Sequence, residues 1–587
     1  EGAFPHDMHI SIAGAMEAAS PPAGPRLERR VLALVVAVVA SCFGRSCAEL
    51  AGSKPHILHI VLDDLGWSEV GWHSTTGEVP TPHLSSLLQH GVELERHYAH
   101  KICSPSRCAV QTGRAPIHVN VQNLAPEVHN PEDPVGGFQG IPVNMTGVAQ
   151  HLKGAGYRTA LVGKWDVGMA TAAHAPHARG FDSWLGYWHH ANDYWTFAEG
   201  ACEGSKVRDL WRSNTDLGVD EPATELQNPE TCSQQHQGGC VYEEELLTDE
   251  VVRLINAANA STDPLFLFWS THLVHFPLQA PRSYLEGFHF VDNDLRRHMA
   301  AMVSYLDDAI GRVVASLHQA GLWEKTVIVA HSDNGGEIMF GGTCAGNNYP
   351  LRGGKFSNFE GGIRTVALMS GGALPTSLRG TRSDALVTAW DWYSTYAMLA
   401  GVDPWDHAAE AAGLPPIDSI SILPVLEGQD RLAGAVRHEV AIGDTAALRY
   451  NGDGQTLVGG LIWQRHGKLY KLLIGAANKD FVVLQDVQTG PLYPNNSFGV
   501  NGTPPIFSQL YGRRCDRSLR HGCLFELVSD PTEQTSLAEE DPVLFRAMLR
   551  RVDELQLTVF SPDRGSTDPG ACEKAMGDYG GYWGPWL

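Results

Sequence analysis

The tightest constraint on this chain is a set of four short apolar runs, each ending in chemistry-bearing residues. Residues 56–62 (HILHIVL) lead into Asp63-Asp64-Leu-Gly, and residues 158–162 (RTALV) into Gly163-Lys164-Trp165-Asp166. Residues 265–269 (LFLFW) lead into Ser-Thr-His272-Leu-Val-His275, and residues 326–330 (TVIVA) into His331-Ser-Asp333-Asn334-Gly-Gly. Short β-rich runs alternating with helical patterns specify an α/β fold, here a large, mixed, mostly parallel sheet flanked by helices. Sites in such sheets form beyond the carboxyl ends of strands. Singly, Asp, Asn and Gly after a strand are ordinary turn residues. Four such ends in one sheet point to a site.

The residue types narrow its chemistry. Asp63, Asp64, Asp333 and Asn334 are hard oxygen donors without thiolate or imidazole, a set suited to calcium or magnesium and not to zinc. Lys164 and His275 come from the other two ends. A cation beside a positive side chain suits an oxyanion ester, sulfate or phosphate. Residues 103–113 (CSPSRCAVQTG) add a nucleophile. Ser104 reads as a helix N-cap, Pro105 as the first helical residue and Gly113 as the stop, so Cys103 sits just before a helix N-terminus. Free N–H groups and the positive dipole end favour an anion or a nucleophile there. Arg107, one turn in, can fork onto an oxyanion. Four residues separate Cys103 from Cys108, which is neither a zinc spacing nor that of a redox pair, and a bridge between them would strain the helix start.

These motifs resemble the formylglycine-dependent sulfatases of the alkaline phosphatase superfamily, with the arylsulfatase B, I and J branch nearest. The stretch from Cys103 matches Cys-x-Pro-x-Arg followed by Thr-Gly. Gly156 to Trp165 matches the second signature except at its last position. Val274-His275-Phe-Pro-Leu-Gln-Ala-Pro, Leu351-Arg-Gly-Gly-Lys355 and Glu360-Gly-Gly-Ile-Arg complete the likeness, which runs from about Lys54 to the closing Gly-Gly-Tyr-Trp-Gly-Pro-Trp. The resemblance implies that a formylglycine-generating enzyme oxidises Cys103, and that Asp63, Asp64, Asp333 and Asn334 hold one calcium together with the modified Cys103. It implies that Arg107 and Lys164 steady the formylglycine hydrate. Lys164, His275 and Lys355 would contact the sulfate, with His275 or Lys355 protonating the leaving oxygen. The implied activity is hydrolysis of sulfate esters on sulfated sugars or glycans, and of aryl sulfates. The alternatives are a phosphoester or phosphonate hydrolase of the same superfamily, or a non-catalytic sulfoglycan-binding relative.

One position departs from the pattern. The family has Gly-Lys-x-His, and here Asp166 stands in the histidine's place. A carboxylate can accept the same proton, so Asp166 is expected to be the base that releases sulfate, with a profile shifted to lower pH. His174, His189 and His190 are downstream substitutes, each read singly as an ordinary loop histidine. Trp184, Trp188 and Trp195 are candidates for sugar contact.

The rest of the chain supplies the setting. Its 587 residues exceed one core, and the expected units are an N-terminal extension with signal peptide (1–48), a catalytic domain (49–430) and a small C-terminal antiparallel sheet with one helix (431–587). Arg26, Arg29 and Arg30 precede an apolar run at 31–43 and small residues at Ser46 and Ala48, the layout of a secretory signal peptide. That predicts a secreted or lysosome-like protein with no stable membrane span. Sequons at Asn144, Asn259, Asn495 and Asn501 fit this route. A net charge of −23 argues against nucleic acid as a partner. Of the 11 cysteines, Cys42 and Cys47 leave with the signal peptide. With Cys103 set aside, an even set remains for disulfides. Cys515 with Cys523, and Cys202 with Cys232 or Cys240, are the expected local pairs.

Overall fold

The computed structural model describes residues 47–122, 125–202, 204–214, 218–338, 344–426, 437–444, 457–474 and 515–587. The signal-peptide segment, the sequons at Asn495 and Asn501 and the expected domain break near 430 lie outside the described residues. Ten strands form the main sheet: β1 (His56–Leu62), β2 (Val92–Tyr98), β3 (Arg158–Lys164), β4 (Ser183–Tyr187), β5 (Trp211–Asn214), β6 (Val219–Pro222), β7 (Leu265–Ser270), β8 (Thr326–Ser332), β9 (Ala367–Ser370) and β10 (Thr381–Thr388). Their order is β10-β2-β9-β8-β1-β7-β3-β4-β5-β6. The centre, β8-β1-β7-β3-β4, is parallel throughout, with antiparallel pairs towards both sides. The four strands read from the sequence are therefore side by side, and their carboxyl ends share one edge. β3 and β8 run two residues further than the apolar runs suggested, so Lys164 and Ser332 are still in register with their neighbours.

The central strands are buried on both faces, which is why they read as continuous apolar runs rather than alternating ones. Period-two geometry still sorts their side chains. Leu58, Ile60 and Leu62 enter one core, whereas Ile57 and Val61 enter the other. The first core is covered by the helices Glu243–Ala258 and Asp294–Gln319, and the second takes in Trp392, Tyr396 and Leu399 of the helix Asp391–Ala400. Gly163 has φ +98°, and a Cβ there would lie 1.9 Å from Ser270 O of the adjacent strand. Only glycine allows β3 and β7 to close at that point.

A second, four-stranded antiparallel sheet comprises β11 (Glu439–Asp444), β12 (Leu457–Arg465), β13 (Lys468–Leu473) and β14 (Cys523–Glu526), with the helix Pro542–Gln556 against it. Its core also contains Tyr98, Ile117, Phe359, Leu386 and Trp390 from the segments around the main sheet. Between the two sheets, buried Lys471 Nζ lies 3.0 Å from Glu360 Oε1 and 2.9 Å from Glu533 Oε1. Among the described residues no helix is long and apolar enough to cross a membrane.

The disulfides correct one expectation. Cys515–Cys523 forms as read, but Cys202 pairs with Cys572, leaving Cys232 to Cys240. The helix Gly570–Gly577 carries Cys572 back to the segment after β4, a return over 370 residues that local spacing cannot reveal. Cys108 is fully buried in the second core without a disulfide. The three tryptophans considered for sugar contact are core residues: Trp184 and Trp188 belong to the second core and Trp195 to the first. Cross-linking so distant a pair restricts the unfolded chain. Cys572→Ser is expected to lower stability by about 2–4 kcal/mol, read as a reduced thermal midpoint. A non-reducing peptide map should link Cys202 to Cys572 in the parent protein.

Candidate active site

Cys103 is the first residue of a helix, Cys103–Thr112, that ends at Gly113 with φ +66°. The expected cap is not used: Ile102 precedes the helix, and the Ser104 hydroxyl instead donates to Asp166 Oδ1 at 2.9 Å. The distant carboxylate outcompetes the local capping geometry, which the local pattern had favoured. Cys103 Sγ lies 3.6 Å from Asp63 Oδ1 and 3.9 Å from Asp64 Oδ1.

Around it is a crossed lattice of buried charges. Lys164 Nζ, at the end of β3, donates to Asp63 Oδ2 at 2.8 Å. Arg107 projects from the second turn of the Cys103 helix. Its Nη2 lies 3.2 Å from Asp63 Oδ2 and 2.8 Å from Asp333 Oδ2, its Nε donates to Asp333 Oδ2 at 2.9 Å, and its Nη1 donates to Ser270 Oγ. Lys355 Nζ donates to Asp64 Oδ2 at 2.7 Å and to His275 Nε2 at 2.9 Å. Asn334 Nδ2 donates to Asp64 Oδ1 at 2.7 Å, and Asp64 N to Asp333 Oδ1 at 3.2 Å. Every one of these side chains is buried. Asp64 and Asp166 adopt φ +59° and +55°, a left-handed backbone that aspartate tolerates better than most residues and that recurs at functional sites.

The electrostatics follow from this packing. Burial would push Asp63 up, but Lys164 and Arg107 hold it well below the usual carboxylate range. For Asp64 burial wins over Lys355, and with the Asp63, Glu337 and Asp333 carboxylates adding to it, the group is pushed up to about 7. Burial also raises the Cys103 thiol well above its ordinary value despite Lys164 and Lys355 nearby. Against the effect of burial, Asp64 keeps Lys355 protonated. Burial, then Lys355, depress His275, which stays neutral and accepts from the lysine at Nε2 while Nδ1 donates to Phe276 O at 2.7 Å.

Crowded carboxylates of this kind suit a cation. The ligand atoms of Asp63, Asp64, Cys103 and His275 lie within 4.8 Å of one another. Asn334 Oδ1 is buried with no hydrogen-bond partner among the described residues. Three carboxylates, two of them (Asp64 and Asp333) drawn towards protonation by burial, and a spare amide oxygen fit a hard divalent ion.

The ten residues expected to carry the chemistry thus meet in one place: Asp63, Asp64, Cys103, Arg107, Lys164, His275, Asp333, Asn334 and Lys355 in the lattice, with Asp166 beside it. Asp166 Oδ2 is 3.8 Å from Lys164 Nζ. Three further residues join them. Ser270 ends the LFLFW strand and holds Arg107. Glu337, two residues beyond the Asp333-Asn334 pair and its glycine, lies 3.6 Å from Lys355 Nζ. His190 sits on Asp166 Oδ1 at 2.7 Å. The sequence made His190 one of three substitutes but offered no means of choosing it. His174 instead meets Thr171, and His189 bridges Asp209 and Glu127.

Comparison with known proteins agrees with this arrangement. A family model described as Sulfatase matches residues 55–402. Arylsulfatase J of Mus musculus is 31% identical over 546 residues, covering 91% of this chain and 80% of that protein. N-acetylgalactosamine-6-sulfatase of Mus musculus is 28% identical over 383 residues, 65% of this chain and 68% of that protein. The fold resembles the crystal structure of Ps i-CgsB in complex with k-i-k-neocarrahexaose, with a TM-score of 0.61 and 23% identity over 88% of this chain and 95% of that one. With the matched family region spanning all four strand ends, the Cys103 helix and Lys355, the chain belongs to the sulfatase family.

Proposed function

We propose that this sulfatase removes sulfate from sulfated sugars, in the manner of the arylsulfatase B, I and J branch. The observation that carries the reading is the convergence of Arg107, Lys164 and Lys355 around Cys103, a sealed cluster of cations against a net charge of −23. Such a cluster selects an oxyanion and offsets charge on the transferring group. The names of the relatives support a carbohydrate substrate, since one is an N-acetylgalactosamine-6-sulfatase and the solved neighbour holds a neocarrahexaose. A phosphoester or phosphonate hydrolase is the alternative, and a cysteine with an oxygen-only carboxylate set speaks against it.

The roles follow from position. Formylglycine made from Cys103 by a generating enzyme would supply an oxygen nucleophile that the protonated, buried thiol cannot. Asp63, Asp64, Asp333 and Asn334 would hold calcium, which supplies Lewis acidity at that oxygen. Arg107 and Lys164 fix the orientation of residue 103 through Asp63. Lys355, the member of the Lys355–His275 pair that carries the proton, donates at Nζ to the departing alcohol oxygen, and His275 orients it. Asp166 receives a proton at Oδ2 as sulfate leaves. The burial of all these groups keeps bulk water from competing. Maturation through the secretory pathway, towards secretion or a lysosome-like compartment, suits the disulfides.

Peptide mass spectrometry across residue 103 should find the thiol replaced by an aldehyde, and Cys103→Ala should lower turnover of sulfated sugars by on the order of 10³-fold or more. An intact thiol in fully active enzyme would sink the reading, as would faster turnover of the matched phosphate esters. Chelation should abolish activity, with calcium restoring it and zinc failing to do so. Asp166→Asn should reduce kcat by roughly 10²-fold or more, with the sulfated substrate still bound. Full activity in that variant would remove Asp166 from its role.

A further inference from the structure

Asp166 presents two different faces. Oδ2 has no hydrogen-bond partner among the described residues and is the oxygen near Lys164 Nζ. Oδ1 is occupied, by Ser104 Oγ at 2.9 Å and by His190 Nδ1 at 2.7 Å. His190 follows β4 directly, so the strand paired beside β3 brings an imidazole back to a residue 24 positions earlier. The same ring nitrogen lies 3.4 Å from Ser104 Oγ, which fixes the ring against the start of the Cys103 helix.

The neighbouring histidine shows what a purely structural role looks like. His189 uses both ring nitrogens, Nδ1 on Asp209 Oδ2 at 2.8 Å and Nε2 on Glu127 Oε1 at 3.1 Å. His190 does not: its Nε2 is buried with no partner among the described residues, and its side chain remains 25% exposed. A ring that serves one carboxylate needs only the contact it makes.

We propose that His190 is the positioning residue of Asp166: by binding Oδ1 through Nδ1, it aims Oδ2 into the site, so that two residues together replace a single imidazole at position 166. This rests on the reading that Asp166 receives the proton when sulfate leaves. The assignment also explains how the site tolerates an added carboxylate beside a sulfate. Burial alone would raise Asp166, but His190 first, then Lys164 and Arg107, hold it below the usual carboxylate range. The imidazole therefore offsets a charge that would repel the substrate, and the base stays ionised in acidic conditions. The other charged groups around the ring are Glu127 and Glu199, both of which feel its charge.

The test uses the mature, metal-loaded enzyme. His190→Gln is expected to lower kcat by about 10- to 100-fold with KM within about twofold. Loss of the His190 partner raises the Asp166 pKa, so the acid limb of the kcat profile should move up by about one pH unit. A kcat and an acid limb both equal to the parent's would overturn the proposal. A second arm does not depend on turnover or on the folding of the His190 variant. In protein carrying ¹⁵N-labelled histidine, Asp166→Ala should move the His190 Nδ1 resonance, since that nitrogen loses its carboxylate partner at 2.7 Å. An unchanged Nδ1 resonance would show that the pair does not form. If the parent enzyme hydrolyses no sulfate ester at all, the functional reading fails, and the resonance measurement still decides the pair.

Discussion

The whole arrangement depends on one buried exchange of charge. Asp63, Asp64 and Asp333 face Arg107, Lys164 and Lys355, and every one of the six is buried. Removing such groups from water is expensive, and mutual attraction repays it only when geometry is close to ideal and the remaining lone pairs are satisfied. Here the geometry is supplied by the sheet. Four of the charges, Asp63, Asp64, Lys164 and Asp333, sit at or just past the ends of central strands, and register places them within hydrogen-bond distance of their partners without long side-chain excursions. Stability alone does not call for this lattice, since apolar residues could fill the same volume. Its presence makes sense if the lattice exists to hold an oxyanion and a cation. The sheet's rigidity is then spent on orientation.

How far the sequence disclosed this can be judged residue by residue. The four strand ends were legible because buried parallel strands read as unbroken apolar runs, and because the polar residues that follow them are unusual in combination. Family-like motifs added Lys355, which lies on no strand. What stayed hidden were partners made only by the fold. Ser104 looked like a helix cap because capping is a local rule, and its actual partner is 62 residues away. Cys202 looked like a partner for Cys232 or Cys240 because spacing favours short loops, yet its bond spans most of the chain. His190 could not be preferred over two other histidines until β3 and β4 were seen side by side. Trp184, Trp188 and Trp195 seemed suited to a sugar surface, and burial settled them as core.

The small antiparallel sheet bears on the site as well. Glu360 follows the Lys355 loop closely, and its carboxylate is pinned by Lys471 of β13 and by the Tyr98 hydroxyl at 2.9 Å. Glu533 accepts from the Glu360 amide at 2.6 Å. Burial pushes Glu533 up to about 7, with the nearby Glu360 adding to the effect of burial and Lys471 opposing it. The segment carrying Lys355 is therefore braced from behind by a second layer. The C-terminal part of the chain thus supports the site from outside, and none of its described side chains enters the lattice.

The near-complete enclosure of Cys103 has a temporal consequence. At 1% exposure, at the start of a packed helix, the thiol is out of reach of any other protein once the fold has closed. An enzyme that altered it would have to act while the chain is still open. Residue 103 leaves the ribosome early, whereas the bond joining Cys202 to Cys572 awaits almost the entire polypeptide. Between those two moments lies a window set by synthesis itself, and the linear order of the chain acts as its clock.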